Sequence, residues 1–179
     1  MREMIYNKMA IPISNLFKRK TESFKFKDKE FEELGLKLKK EVDKIFGKSI
    51  SIRLVDTGSD NSPEIELVNL TTPYYDIERF GINFVASPRH ADIILVTGPV
   101  ALNMLEALKK TYEAAPSPKF VIALGDDACG TGIFKDSYAV VGSVEKVLPV
   151  DMKIPGNPPT PEDILKGMLG LMQKIKNKE

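Results

Sequence analysis

The side chains able to do chemistry gather in three short stretches, each placed just after an apolar run: Gly58-Ser59-Asp60-Asn61-Ser62-Pro63-Glu64-Ile65-Glu66, Gly125-Asp126-Asp127-Ala128-Cys129 and Pro155-Gly156-Asn157-Pro158-Pro159. Between them they hold Asp60, Glu64, Glu66, Asp126 and Asp127. Brought to one cavity, that many carboxylates would suit a hard cation such as Mg²⁺ or Ca²⁺. The simpler reading is that these polar residues face water and hold no metal. Cys129 is the only cysteine, so the chain forms no internal disulfide. Asp126 and Asp127 would raise the pKa of its thiol, which reads as an inert small residue in a Gly-rich turn. The single histidine, His90, follows Arg89 and has no second imidazole to share a ligand role, so it reads as a surface or capping contact. Gly125 to Gly132 has the glycines of a phosphate loop but lacks its lysine.

Strands and helices must carry these loops. Phe31, Leu34, Leu38, Val42 and Ile45 recur at helical spacing and predict a helix over 29–46, stopped by Gly47. Short strands are predicted at 49–55, 83–86, 93–96, 120–124 and 144–150. The β-branched run at 93–96 fits a strand buried on both faces. Between the strands, 65–70 suits a helix, and Leu102, Leu105, Leu108 and Tyr112 mark another. A closing helix is announced by Thr160, Pro161 and Asp163, which resemble a capping box. Its apolar stripe runs through Ile164, Leu165, Met168, Leu169, Met172 and Ile175. Alternating strands and helices imply a mostly parallel sheet with right-handed crossovers, whose sites form at the carboxyl ends of the strands. All three polar stretches would then lie at one end of the sheet.

The chain has 179 residues, net charge +1, 42% hydrophobic and 28% charged residues. That is the profile of an ordinary globular protein of one-domain length, without the basic field that would point to nucleic acid. No apolar run is long enough to span a bilayer, and no secretory signal is evident. Residues 1–28 form a separate basic arm, followed by an N-terminal helix over 29–48 and a single α/β domain over 49–179. Over residues 1–29, eight Lys or Arg stand against three acids. Such an arm reads as a partly ordered tail or as a docking segment for a partner or an anionic membrane.

Joined by Tyr75-Asp76-Ile77-Glu78-Arg79-Phe80-Gly81 and Arg89-His90-Ala91-Asp92-Ile93-Ile94-Leu95-Val96-Thr97-Gly98, the three loops resemble the small, 20 kDa-type subunit shared by respiratory complex I and membrane-bound [NiFe] hydrogenases. The resemblance covers roughly residues 50–172. It implies a flavodoxin-like α/β fold and leans toward archaeal-type complexes. In that family a Cys-x-x-Cys followed by an acid, a Gly-x-Cys and a Pro-Gly-Cys-Pro hold one [4Fe–4S] cluster. The corresponding positions here read Asp60, Pro63, Asp127 and Asn157, with Cys129 near enough to be a residual ligand.

The resemblance thus implies a non-catalytic, structural subunit without a cofactor. It would be peripheral on the cytoplasmic face of a membrane, beside a large hydrogenase-like or complex I-like subunit. Glu64 and Glu66 sit where family members carry acids near that subunit, and Arg79 and Phe80 belong to the same expected interface. A first-turn helix position explains Glu64 and Glu66 equally well. Two other readings stand beside this one: an electron-transfer subunit whose cluster has unusual or borrowed ligands, and a free-standing module binding a nucleotide, flavin or divalent metal.

Overall fold

The computed structural model describes residues 28–177; apart from Asp28, the basic arm lies outside them. Helix α1 spans Lys29–Phe46. Asp28 caps it by accepting from Phe31 N at 3.1 Å, and Gly47 ends it in the left-handed region at φ 63°. There follow β1 (Ile50–Asp56), α2 (Ser62–Leu70), β2 (Ile82–Phe84), β3 (Ile93–Thr97), α3 (Leu105–Ala114) and β4 (Phe120–Leu124). A four-residue helical turn α4 (Asp126–Cys129), β5 (Met152–Ile154) and α5 (Pro161–Lys176) complete the order. Short 3₁₀ turns occur at Ile77–Phe80, Pro88–His90, Leu102–Met104 and Val144–Lys146.

The five strands make one parallel sheet in the order β2-β1-β3-β4-β5. This is the flavodoxin-like doubly wound arrangement, whose strand order reverses between β1 and β3. All five residues of β3 are buried, as its unbroken apolar run predicts. The twofold repeat of the strand sends Ile93 and Leu95 to one face and Ile94 and Val96 to the other. The first face packs with Phe31, Leu38 and Val42 of α1, Leu67 and Leu70 of α2, and the apolar stripe of α5. The second packs with Leu108 of α3, Ala128 of α4, Val144 and Leu148. Helix α1 is therefore built into the same core as the sheet: at Gly35 its backbone comes so near Phe80 that a Cβ would lie 2.2 Å from the ring.

The closing helix begins as its sequence predicts. Thr160 Oγ accepts from Asp163 N at 3.2 Å, and the Asp163 carboxylate accepts from Thr160 N at 3.3 Å, completing the capping box. Two expectations are corrected. Helix α2 starts at Ser62 rather than 65, because Pro63 fits the first turn of a helix, where its missing N–H costs no hydrogen bond. The strand expected over 144–150 is instead a helical turn. Val144 and Leu148 enter the core at a four-residue spacing, with Leu148 N donating to Val144 O at 2.9 Å, and the last strand comes later, at Met152–Ile154. Among the described residues, no helix is long and apolar enough to cross a membrane.

Candidate functional site: the strand-end loops

The loops after β1, β4 and β5 meet at the carboxyl end of the sheet. Gly125, at φ 91°, lies under Pro63, so that a Cβ there would come 2.9 Å from Pro63 Cγ and 3.6 Å from Gly156 O. Asp126 ties the second loop to the third twice: its N–H donates to Gly156 O at 3.0 Å, and its Oδ1 accepts from Gly156 N at 2.8 Å. Ser62 Oγ lies 2.6 Å from Asp60 Oδ1 and 3.0 Å from Asn157 Oδ1. One hydroxyl proton cannot serve both acceptors. Turning the Asn157 amide so that Nδ2 donates to Ser62 satisfies the pair. Asp60, Pro63, Asp127 and Asn157, dispersed in sequence, thus belong to one loop cluster.

The electrostatics of the two aspartates differ. Ser62, through its hydroxyl and its N–H, holds the Asp60 carboxyl below its ordinary value. Burial pushes Asp127 above its ordinary value, helped by the nearby Asp60 and Asp126 charges and opposed by the Phe134 N–H. Asp127 Oδ1 has no hydrogen-bond partner among the described residues, and it lies so close to Gly132 that a Cβ there would sit 1.8 Å away.

Glu64 turns away from this cluster toward the β1/β3 crevice. One of its oxygens accepts from the Thr97 hydroxyl and the other from Ser59 Oγ at 2.7 Å. Thr57 and Thr97 are fully buried. Thr57 Oγ1 donates to Thr97 O at 2.6 Å and accepts from Val100 N at 3.2 Å. Glu64 also borders a cavity of about 350 Å³, lined by Arg53, Leu67, Val68, Phe84 and Val85. Sequence reading missed Ser59, Thr97 and Arg53. Thr97 ends β3 and Ser59 lies in the loop just after β1, which is their only signal; Arg53, inside β1, has none.

The remaining residues singled out in the sequence are more dispersed. Glu66 accepts from Asn69 Nδ2 at 3.2 Å. Arg79 pairs with Glu32 of α1 at 2.6 Å and lies over the Phe80 ring, 4.6 Å from its centre. Phe80 itself is 1% exposed. His90 is exposed in the Pro88–His90 turn ahead of β3, at the opposite end of the sheet from the loops. Cys129 donates to Ala123 O at 3.6 Å. Burial, with a smaller push from Asp126, raises its thiol to about 11, so burial outweighs the neighbouring carboxylates. Among the described residues no three His, Cys, Asp or Glu are grouped to hold a metal ion.

The four positions that the resemblance aligns with cluster ligands converge, but their donor atoms do not fit a [4Fe–4S] cluster held by thiolates. Pro63 offers no donor atom, Asn157 a neutral amide, and Asp60 and Asp127 hard oxygens, while the lone thiol is protonated and turned to a backbone carbonyl.

Residues 61–171 match the family model described as NADH ubiquinone oxidoreductase, 20 Kd subunit. The probable membrane-bound hydrogenase subunit mbhJ of Pyrococcus furiosus is 45% identical over 132 residues, covering 74% of this chain and 79% of that one. An NADH-quinone oxidoreductase subunit of Citrifermentans bemidjiense is 48% identical over 113 residues, covering 63% and 66%. A chain in the structure of the membrane-bound sulfane sulfur reductase, an archaeal respiratory membrane complex, superposes with a TM-score of 0.65 at 39% identity, covering 74% and 73%. These matches correct the expectation that the protein has no cofactor, because the matched family carries a [4Fe–4S] cluster. The cysteine content of one chain fixes which ligands that chain can offer, and it does not decide whether a cluster is present.

Proposed function

From its membership of the NADH ubiquinone oxidoreductase 20 kDa subunit family, to which this chain belongs, we propose that it is a subunit of a membrane-associated complex I-like or hydrogenase-like oxidoreductase complex. It is of the archaeal hydrogenase-related type, peripheral on the cytoplasmic face of the membrane, and it packs beside a larger subunit. Its role in that complex is structural. One observation carries this role: the strand-end loops are closed by their own side chains, with Pro63 on Gly125, Ser62 on Asn157 and Asp126 on Gly156. A site closed in this way has a defined surface to offer a partner. Glu64 and Glu66 on α2 border that surface, next to the exposed Ile65 and Val68. Arg79 and Phe80 act behind it, holding the segment before β2 against α1.

The test is to isolate the tagged full chain from native membranes and determine its companions and its iron. A stoichiometric large subunit of hydrogenase or complex I type is the expected companion. A chain that stays monomeric and takes up flavin, nucleotide or Mg²⁺ would overturn the reading. Iron and acid-labile sulfide then separate the roles. About four irons per chain, as a [4Fe–4S] cluster requires, would replace the structural role with electron transfer.

A further inference from the structure

Half of the large apolar side chains exposed on the described surface belong to one region. Tyr138 is 97% exposed, Ile133 83%, Leu102 54% and Phe134 43%. Three of them lie within six residues, on the loop that leaves α4, and Leu102 is hydrogen-bonded to that loop through its N–H to Ala139 O at 2.9 Å. The next pair along, Ala101 and Val140, forms a β-bridge. The loop is fixed in place as well as exposed. Thr131 N and Gly132 N both donate to Asp126 O, Ser137 N donates to Phe134 O, and Val141 N donates to Val100 O. A held loop that presents an isoleucine and a tyrosine almost entirely to water is the composition of an interface core, where aromatic anchors carry much of the binding energy.

The rim tells which kind of surface would cover it. Asp127, packed against Gly132, and Asp126 stand at the base of the loop, Asp60 lies within electrostatic reach of Asp127, and Asp136 is on the loop itself. Against these four carboxylates stands Lys135 of the loop, while Lys146 is turned back to Val141 O at 3.2 Å. An acidic partner would meet like charges here, and an uncharged one would leave carboxylates desolvated without compensation.

We propose that this patch, Leu102, Ile133, Phe134 and Tyr138 with its aspartate rim, is the docking surface for a lysine- or arginine-bearing segment of a companion subunit. The inference rests on the complex-subunit reading above and adds to it which face is covered and with what charge. The patch adjoins the strand-end loops through Asp60, Asp126 and Asp127 and lies beyond the α2 face carrying Glu64 and Glu66.

The test uses the tagged full-length chain, isolated from its native cells at low ionic strength with its companions and treated with a water-soluble carbodiimide, which joins touching carboxylates and lysines. Expected are bonds from Asp60, Asp126, Asp127 or Asp136 to lysines of one companion subunit. The doubly substituted Ile133→Ser/Tyr138→Ser chain should retain that companion about tenfold more weakly, as for the loss of interface anchors, and the deficit should grow with salt. Both side chains are exposed, so the unfolding midpoint of the variant should match that of the native chain. Leu36→Ser, on the outer face of α1, serves as the control and should keep the companion. If the native chain brings down no companion, the complex-subunit reading fails and takes this inference with it. If the companion is kept by the double variant and is joined only through other carboxylates, the docking surface is wrong while the subunit reading stands. Bonds found only between two copies of this chain would likewise overturn it.

Discussion

The Ser62 hydroxyl lies 3.0 Å from Asn157 Oδ1, joining the first strand-end loop to the last across 95 residues of sequence. With Pro63 over Gly125 and Asp126 bonded to Gly156, this contact means that four positions dispersed along the chain share one small volume. Replacing them together, as Asp60→Cys/Pro63→Cys/Asp127→Cys/Asn157→Cys, should give a chain that takes up iron and sulfide on anaerobic reconstitution well beyond the native chain treated alike. Iron and sulfide assays with an absorbance spectrum read the result. No added uptake by a folded variant would mean that the loops are not spaced as described.

Thr97 is a second point where one side chain organises others. Its hydroxyl, fully buried, donates to Glu64, whose other oxygen is held by Ser59. Thr97→Val keeps the shape and removes the donor, which should cost about 1–3 kcal/mol in urea unfolding by leaving a carboxylate oxygen without its partner. In a Glu64→Ala background the same substitution should cost much less, because the acceptor is gone. Equal costs in both backgrounds would show that the bond contributes nothing.

Asp60 and Asp127 should bend the acid stability profile in opposite directions. The Asp60 carboxyl is depressed below 3.8 by Ser62, so its contribution is present above 3.8 and disappears as the pH falls through the folded-state value. Asp127 is raised above 3.8 by burial. Its folded state holds the proton more tightly than the unfolded state, so stability falls as the pH rises from 3.8 through the folded-state value. Asp127→Asn should therefore gain stability over the native chain at pH 6 and lose that advantage near pH 3. Asp60→Asn should be less stable at pH 6, with the gap closing near pH 3. Urea midpoints at the two pH values decide both.

Cys129 should be nearly silent toward thiol reagents in the native chain. Its thiol stands at about 11 against an ordinary 9.0, so the reactive thiolate is about a hundredfold scarcer than in an unfolded chain at the same pH. Labelling by a disulfide reagent at pH 8 should be slow at first and should become fast in denaturant. Rapid labelling of the folded protein would contradict the burial described.

Where local chemistry alone decides structure, the sequence could be read. The buried run of β3, the stripe of α1 and the Thr160–Asp163 cap need only neighbouring residues, and each forms as its pattern predicts. The convergence of the three loops also followed, because it depends only on their following parallel strands. Segment 144–150 did not, since its valines suit a strand and only packing of Val144 and Leu148 into the second core makes it a helical turn. Nor could Ser59, Thr97 and Glu64 be joined in advance: their contact depends on β1 and β3 being neighbours, a fact about strand order that no local pattern carries.

Strand order also separates the segment matched by the family model from the unit that folds. The segment matched by the family model, 61–171, begins after β1, yet β1 lies between β2 and β3 and, among the described residues, is the only strand β2 pairs with. A protein trimmed to that segment would hold β2 with no neighbour and β3 with one edge bare, and would lose the α1 residues that close the core over Phe80. Recombinant fragments or hybrid subunits made from this chain therefore have to be cut ahead of Asp28, well upstream of the segment the family model matches.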